Sequence, residues 1–169
     1  KILFVVLSFS ILFSQNEIIK NLNDDLTSLI YEEVVYVEGV PKDILFEKIE
    51  RYIVYGYVSS NNVVQLNDKE KGNIIVKGTG TVNTGGLFSI KIYVPHTLDI
   101  KVKDGRYKYT LKSSTLETIS DGTNTFTINE LLTKKKYNRK YGSNSWVTKS
   151  DTVLQSIVTE MKEYIFNDT

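Results

Sequence analysis

The sequence predicts an α+β fold, one antiparallel sheet with helices on one face in the order β-α-β-β-β-β-α. Three observations predict it. A β-branched and aromatic run, Ile30 to Val37, precedes an amphipathic helical pattern over residues 41–55. Four strand-like segments then follow one another through short Gly-containing turns. A second helical stripe closes the chain.

Taken in order, Lys1 precedes an apolar run, Ile2 to Phe13, broken only by Ser8 and Ser10; the small Ser14 then meets a polar stretch. That order is the pattern of a secretory signal peptide over residues 1–14, with cleavage expected between Ser14 and Gln15. The run falls short of the roughly 20 apolar residues a membrane span needs. Residues 15–29 carry Ile18, Ile19, Leu22, Leu26 and Leu29 at helical spacing, but Asn21, Asn23, Asp24 and Asp25 oppose a helix. A short helix and an irregular lead-in are both compatible with this stretch. Ile30–Val37 is the first strand.

Gly39 and Pro41 punctuate the chain, and Pro suits a helix start because its missing N–H has no partner there. From Pro41 to Tyr55, Leu45, Ile49, Tyr52 and Ile53 form the apolar stripe, and Gly56 is the expected stop. The meander is expected at Val63–Asn67, Asn73–Asn83, Phe88–Lys103 and Arg106–Ser113. Its last hairpin can be checked by register. A two-residue type I′ turn at Asp104-Gly105 sets Lys103 opposite Arg106, Val102 opposite Tyr107, Ile100 opposite Tyr109 and Leu98 opposite Leu111. Apolar residues then share one face, and a one-residue slip would destroy the match. Pro95 is expected to break the ladder or to sit at an edge or bulge.

Residues 114–149 look irregular and basic, with a short strand or helical turn around Thr125–Leu132. Ser150-Asp151-Thr152 offers caps for a final helix over 151–166, whose stripe is Leu154, Ile157, Val158, Met161 and Ile165. No repeat or second domain is visible, so residues 30–169 form one domain.

Three blocks carry a family likeness: Glu33 to Phe46, Asn73 to Gly78, and Leu98 to Lys108. In order and spacing they resemble the conserved blocks of a bacterial domain-of-unknown-function family with a TBP-like fold, usually found behind a signal peptide. The likeness covers about Ile30 to Ser113 and implies one half of the TATA-box-binding-protein architecture. Pro41, where Ser commonly caps the helix, and the basic segment after Ser113 depart from the family pattern. The family has no established activity, so the resemblance assigns no catalytic residue.

Composition narrows the chemistry. The chain has no cysteine, which excludes disulfides, thiolate metal sites, a cysteine nucleophile and a lipid anchor on cysteine. Without Lys1 the chain holds 20 basic and 20 acidic side chains, a balance that argues against nucleic acid as a partner. Residues 101–149 nevertheless carry 11 basic against 4 acidic side chains. His96 is the only histidine, so neither a histidine metal pair nor a metal or other cofactor is expected. Lys77-Gly-Thr-Gly-Thr81 lacks the Gly-Lys-Ser/Thr ending of a phosphate loop and lies in a strand; Gly78 and Gly80 share the inward parity and leave room for a helix. Glu32, Glu33 and Glu38 cluster near the first strand, but nothing in the sequence fixes their separation or buries one of them, so surface charge is the expected role.

Two candidate binding features remain. Lys91, Lys101, Lys103, Arg106 and Lys108 share the outer sheet face, and in the DNA-binding relatives of this fold that face holds the ligand. Lys134, Lys135, Lys136, Tyr137, Arg139, Lys140, Tyr141 and Trp146 mix cations with aromatics in a loop. These features predict an exported, non-enzymatic binding or structural protein, periplasmic or extracellular. Its partner would be an envelope macromolecule: an acidic protein, a glycan or a lipid headgroup. The alternative is a carrier of a small apolar or amphiphilic ligand in a cleft between sheet and helices.

Overall fold

A computed structural model describes residues 21–57, 63–85, 89–119, 123–135 and 143–167. The expected signal peptide, and residues 15–20 of the lead-in, lie outside them. The elements are β1 (Leu29–Tyr36), α1 (Lys42–Tyr57), β2 (Val63–Asp68), β3 (Asn73–Asn83), β4 (Lys91–Lys103), β5 (Arg106–Ser113), β6 (Thr115–Ile119), β7 (Thr123–Thr127), α2 (Ile128–Thr133) and α3 (Ser143–Asn167).

The sheet order is β1-β5-β4-β3-β2, with β6 beside β4 and β7 beside β6. All its pairings are antiparallel. The β4–β5 register is the one the sequence predicts, with Leu98 opposite Leu111, Ile100 opposite Tyr109 and Val102 opposite Tyr107. The turn type differs, because Gly105 is left-handed (φ 68°) while Asp104 is not, and a type I′ turn needs positive φ at both.

Residues 21–28 are not helical. Asn23 organises a turn instead, its side-chain oxygen accepting from the N–H groups of Thr27 and Ser28 at 2.8 and 2.9 Å. In α1, Gly56 does not end the helix, which continues to Tyr57. The Tyr57 ring is buried, and that contact outweighs the weak helix propensity of glycine.

The described residues of the basic segment are more regular than its sequence suggests. Thr115–Ile119 and Thr123–Thr127 pair as the antiparallel strands β6 and β7, and Thr127 caps α2 through a capping box with Glu130. The last helix begins at Ser143 rather than 151. The expected caps therefore lie inside it. Ser150 donates to the Trp146 carbonyl at 2.8 Å and Thr152 to the Thr148 carbonyl at 3.2 Å. Asp151 instead accepts from the Tyr31 hydroxyl on β1.

One core fills the space between the inner sheet face and helices α1 and α3. Strand alternation places Ile92, Val94, His96, Leu98, Ile100 and Val102 of β4 inward, all buried. From α1 come Leu45, Phe46, Ile49 and Ile53, and from α3 Trp146, Leu154, Val158, Met161 and Ile165. Gly78 and Gly80 let the helices approach. A Cβ on Gly78 would lie 2.6 Å from the Tyr57 ring, and one on Gly80 would lie 2.6 Å from Val153. Tyr52 ties the two helices together by donating to the Ile157 carbonyl at 3.0 Å.

Candidate functional site

The outer face of the sheet is built by parity. Because β1, β5 and β4 pair in register, same-face residues line up in rows across the strands. One row runs Tyr36, Arg106, Lys103, and the next runs Val34, Lys108, Lys101. Together these six side chains line a groove of about 300 Å³. Its four cations are exposed, and so are its apolar members, Val34 at 43% and Tyr36 at 62%.

Electrostatics distinguish the cations. Lys108 pairs with Glu32 at 2.7 Å, and that hydrogen bond, with one from Thr110, holds the Glu32 carboxyl below its usual range. Lys101, Lys103 and Arg106 take part in none of the ion pairs among the described residues. Lys101 faces Lys108 directly, a like-charge pair that costs stability unless a counter-charge lies near. Glu32 offsets one of these charges, leaving the groove with an anion-attracting surplus.

The fifth predicted member does not join them. Lys91 starts β4, ten residues before Lys101 and thus roughly 30 Å along the strand, with its Nζ 5.3 Å from the Tyr93 ring centroid. Pro95 does not break β4. It lies opposite Thr79 in the β3 ladder, and on its other edge β4 changes partner there from β5, paired from Thr97 onward, to β6, paired at Ile92 and Tyr93.

The basic-aromatic loop is not assembled as predicted. Trp146 belongs to α3 and is buried, its ring edge-on to Phe126 at 5.8 Å between centroids. The largest apolar surface of the proposed loop is thus a core anchor. Lys134 pairs with Glu130 one helical turn back, while Lys135 is exposed. Lys136, Tyr137, Arg139, Lys140 and Tyr141 lie outside the described residues.

No group of three or more His, Asp or Glu among the described residues could hold a metal ion. Glu32 and Glu33 leave opposite faces of β1. Glu33 accepts from Tyr109 at 2.9 Å and pairs with Lys162 at 2.8 Å, which lowers its carboxyl. The two acids therefore cannot flank one substrate. His96 is buried, with Nδ1 3.1 Å from the Val94 carbonyl and Nε2 3.3 Å from the Tyr57 hydroxyl. The carbonyl can only accept, so Nδ1 carries the hydrogen and Nε2 accepts from Tyr57. Burial lowers the imidazole's affinity for a second proton.

A polar cluster on the inner side escaped the sequence reading. Asp151 accepts from the Tyr31 hydroxyl, from Asn21 at 3.3 Å and from Gln155 at 3.2 Å. Burial, then the Asp151 contact, pushes the Tyr31 phenol upward. Only Asp151-x-x-x-Gln155 was local enough to see, because Tyr31 is 120 residues away. The cluster's groups satisfy one another and clamp α3 to β1.

A profile for the family described as "Domain of unknown function (DUF4468) with TBP-like fold" matches residues 31–116. Two solved structures are similar. A DUF4468 family protein from Bacteroides ovatus ATCC 8483 aligns with TM-score 0.70 and 11% identity, over 87% of this chain and 91% of that one. A TBP-like protein from Parabacteroides distasonis ATCC 8503 aligns with TM-score 0.68 and 15% identity, over 88% of this chain and 99% of that one. No curated protein matches the sequence. Identities this low bear on the fold alone, and they extend the likeness beyond the span of the profile.

Proposed function

This chain belongs to the DUF4468 family, domains of unknown function with a TBP-like fold, and from that premise we propose that it is an exported, non-enzymatic binding protein of the bacterial cell envelope. Its partner is an anionic macromolecule held in the groove between Tyr36 and Lys101. The observation that carries the reading is the gathering of Lys101, Lys103, Arg106 and Lys108 around exposed Val34 and Tyr36, on a face that α1 and α3 leave uncovered. A cationic groove with an aromatic platform suits an acidic glycan, whose sugar ring stacks on Tyr36 while its acid groups meet the cations. An acidic protein or a lipid headgroup shares the charge but has less use for a lone exposed aromatic.

Export rests on the charged, apolar and small-residue order of residues 1–14. Among the described residues no helix is long and apolar enough to cross a membrane. For a small-ligand carrier, the cleft between sheet and helices is occupied by Tyr57 over Gly78 and by Val153 over Gly80.

The test is retention on envelope fractions. The triple variant Lys101→Glu, Lys103→Glu, Lys108→Glu is expected to be released from envelope material that holds the wild-type chain. Digesting the fractions with protease, with polysaccharide lyase or with lipase identifies the partner class. Equal retention of variant and wild type removes the groove from consideration.

A further inference from the structure

The sheet carries a second opening, separate from the basic groove. It lies at the seam where β4 exchanges β5 for β6, around Pro95. Register builds it: Lys77 lies opposite Thr97, and Thr97 lies opposite Lys112, so the two lysines share a face on either side of a threonine. Adjacent strands are about 4.8 Å apart, which sets their backbones roughly 10 Å from each other. Two flexible ammonium groups at that separation can close on one oxyanion.

The pocket there measures about 360 Å³, a size suited to a small organic molecule. Thr79, Thr97, Ser114 and Thr115 are among the residues that line it, and no acidic side chain among the described residues does. Lys77 and Lys112 join none of the ion pairs among the described residues. The row between this pocket and the basic groove runs Glu32, Thr110, Asp99. That acidic row divides the two cationic sites, so the seam is not an extension of the groove.

We propose that the seam binds a small oxyanion-bearing molecule, its phosphate or carboxylate held between Lys77 and Lys112 and its hydroxylated body against Thr79, Thr97 and Ser114. His96 lines the same pocket and is the chain's only histidine, so it reports occupancy without labelling. Its ring meets the Tyr57 hydroxyl of α1 and the Val94 carbonyl of its own strand, while Lys77 of β3 and Lys112 of β5 line the same pocket from the opposite face of the sheet. An anion bound between the lysines favours the protonated imidazole and moves its titration to higher pH.

The experiment follows the amides of Thr97 and Ser114 and the His96 ring by NMR in the full chain. Inorganic phosphate and glucuronate are added separately, and the one that saturates identifies the oxyanion. Saturable shifts and an upward move of the His96 titration are expected. Lys77→Gln with Lys112→Gln should weaken binding about tenfold or more, as expected for two lost charge-assisted hydrogen bonds. Lys101→Glu, Lys103→Glu, Lys108→Glu should leave it intact, so this site and the groove stand or fall separately. Absence of saturation with either probe at millimolar concentration overturns the proposal. So do equal shifts in the Lys77/Lys112 variant.

Discussion

Gly80 shows at the residue scale how an absent side chain sets the distance between two elements. A Cβ there would meet Val153 at 2.6 Å, closer than a short, stiff side chain can yield. Gly80→Ala is therefore expected to destabilise the fold by about 1–3 kcal/mol through overpacking. Val153→Ala in the same chain should restore much of the loss. Urea unfolding of the single and double variants measures this coupling, and additive losses would contradict it. His96 makes a prediction of a different kind. Its folded-state proton affinity is lowered by burial, so below the unfolded value of about 6.5 the unfolded chain binds more protons. Its contribution to stability is therefore complete above that pH and is lost as pH falls through 6.5 toward the lower folded value. His96→Gln should flatten the pH dependence of the unfolding free energy between about pH 7.5 and 5, and an unchanged slope would refute the assignment. The inward place of Gly80 was legible from period-2 alternation, and the unbroken course of β4 through Pro95 sets His96 inward as well. Their partners Val153 and Tyr57 were not legible, because nothing local in the chain brings them near.

At the scale of the element, α1 explains how Pro41 can replace a capping serine. Proline has no side-chain acceptor, but the Pro41 carbonyl takes the first helical bond from Leu45 at 3.0 Å. The free N–H of Lys42 finds its acceptor in Asp104 at 2.8 Å, from the turn of the β4–β5 hairpin. The same turn accepts from the Val37 N–H through the Gly105 carbonyl at 2.8 Å. One hairpin thus caps a helix 62 residues away. Asp104→Ala is expected to cost about 1 kcal/mol, as losing a helix cap does, while Asp104→Asn should cost much less. Thermal unfolding of the two variants measures the cap, and an Asp104→Ala variant as stable as the wild type would refute it. The meander was legible because a wrong register would have exposed its apolar face. The start of α3 was not, since Ser150 and Asp151 interrupt the apolar stripe between Trp146 and Leu154. Buried Ser150 bonds its own helix and Asp151 bonds β1, so both polar residues sit inside without an orphaned group.

For the molecule as a whole, the two sheet faces divide the work. The inner face and the helices hold the core, whereas the outer face carries charge in rows, two cationic, then one acidic, then one cationic. Lys101, Lys103 and Lys108 bury nothing of that core, so the triple glutamate variant should keep the wild-type unfolding midpoint while losing envelope retention. Wild-type retention should also weaken as salt rises, because exposed charges are screened within about 10 Å at 0.1 M salt. A collapse of the unfolding midpoint would turn the retention result into a folding effect. The remote placement of Lys91 follows from strand length, which separates residues of one face as surely as parity groups them.

From the sequence alone came the α+β order, the antiparallel meander, the register of its last hairpin and the family likeness. Each depends on neighbours in sequence, where periodicity, turns and short motifs operate. Tertiary structure decided which of the five sheet-face cations meet and that Trp146 is a core anchor. It also decided that Asp151 clamps a strand instead of capping a helix, and that a pocket opens where β4 changes partner. Those outcomes depend on contacts between residues far apart in sequence, and burial selects among them only when all the elements pack together.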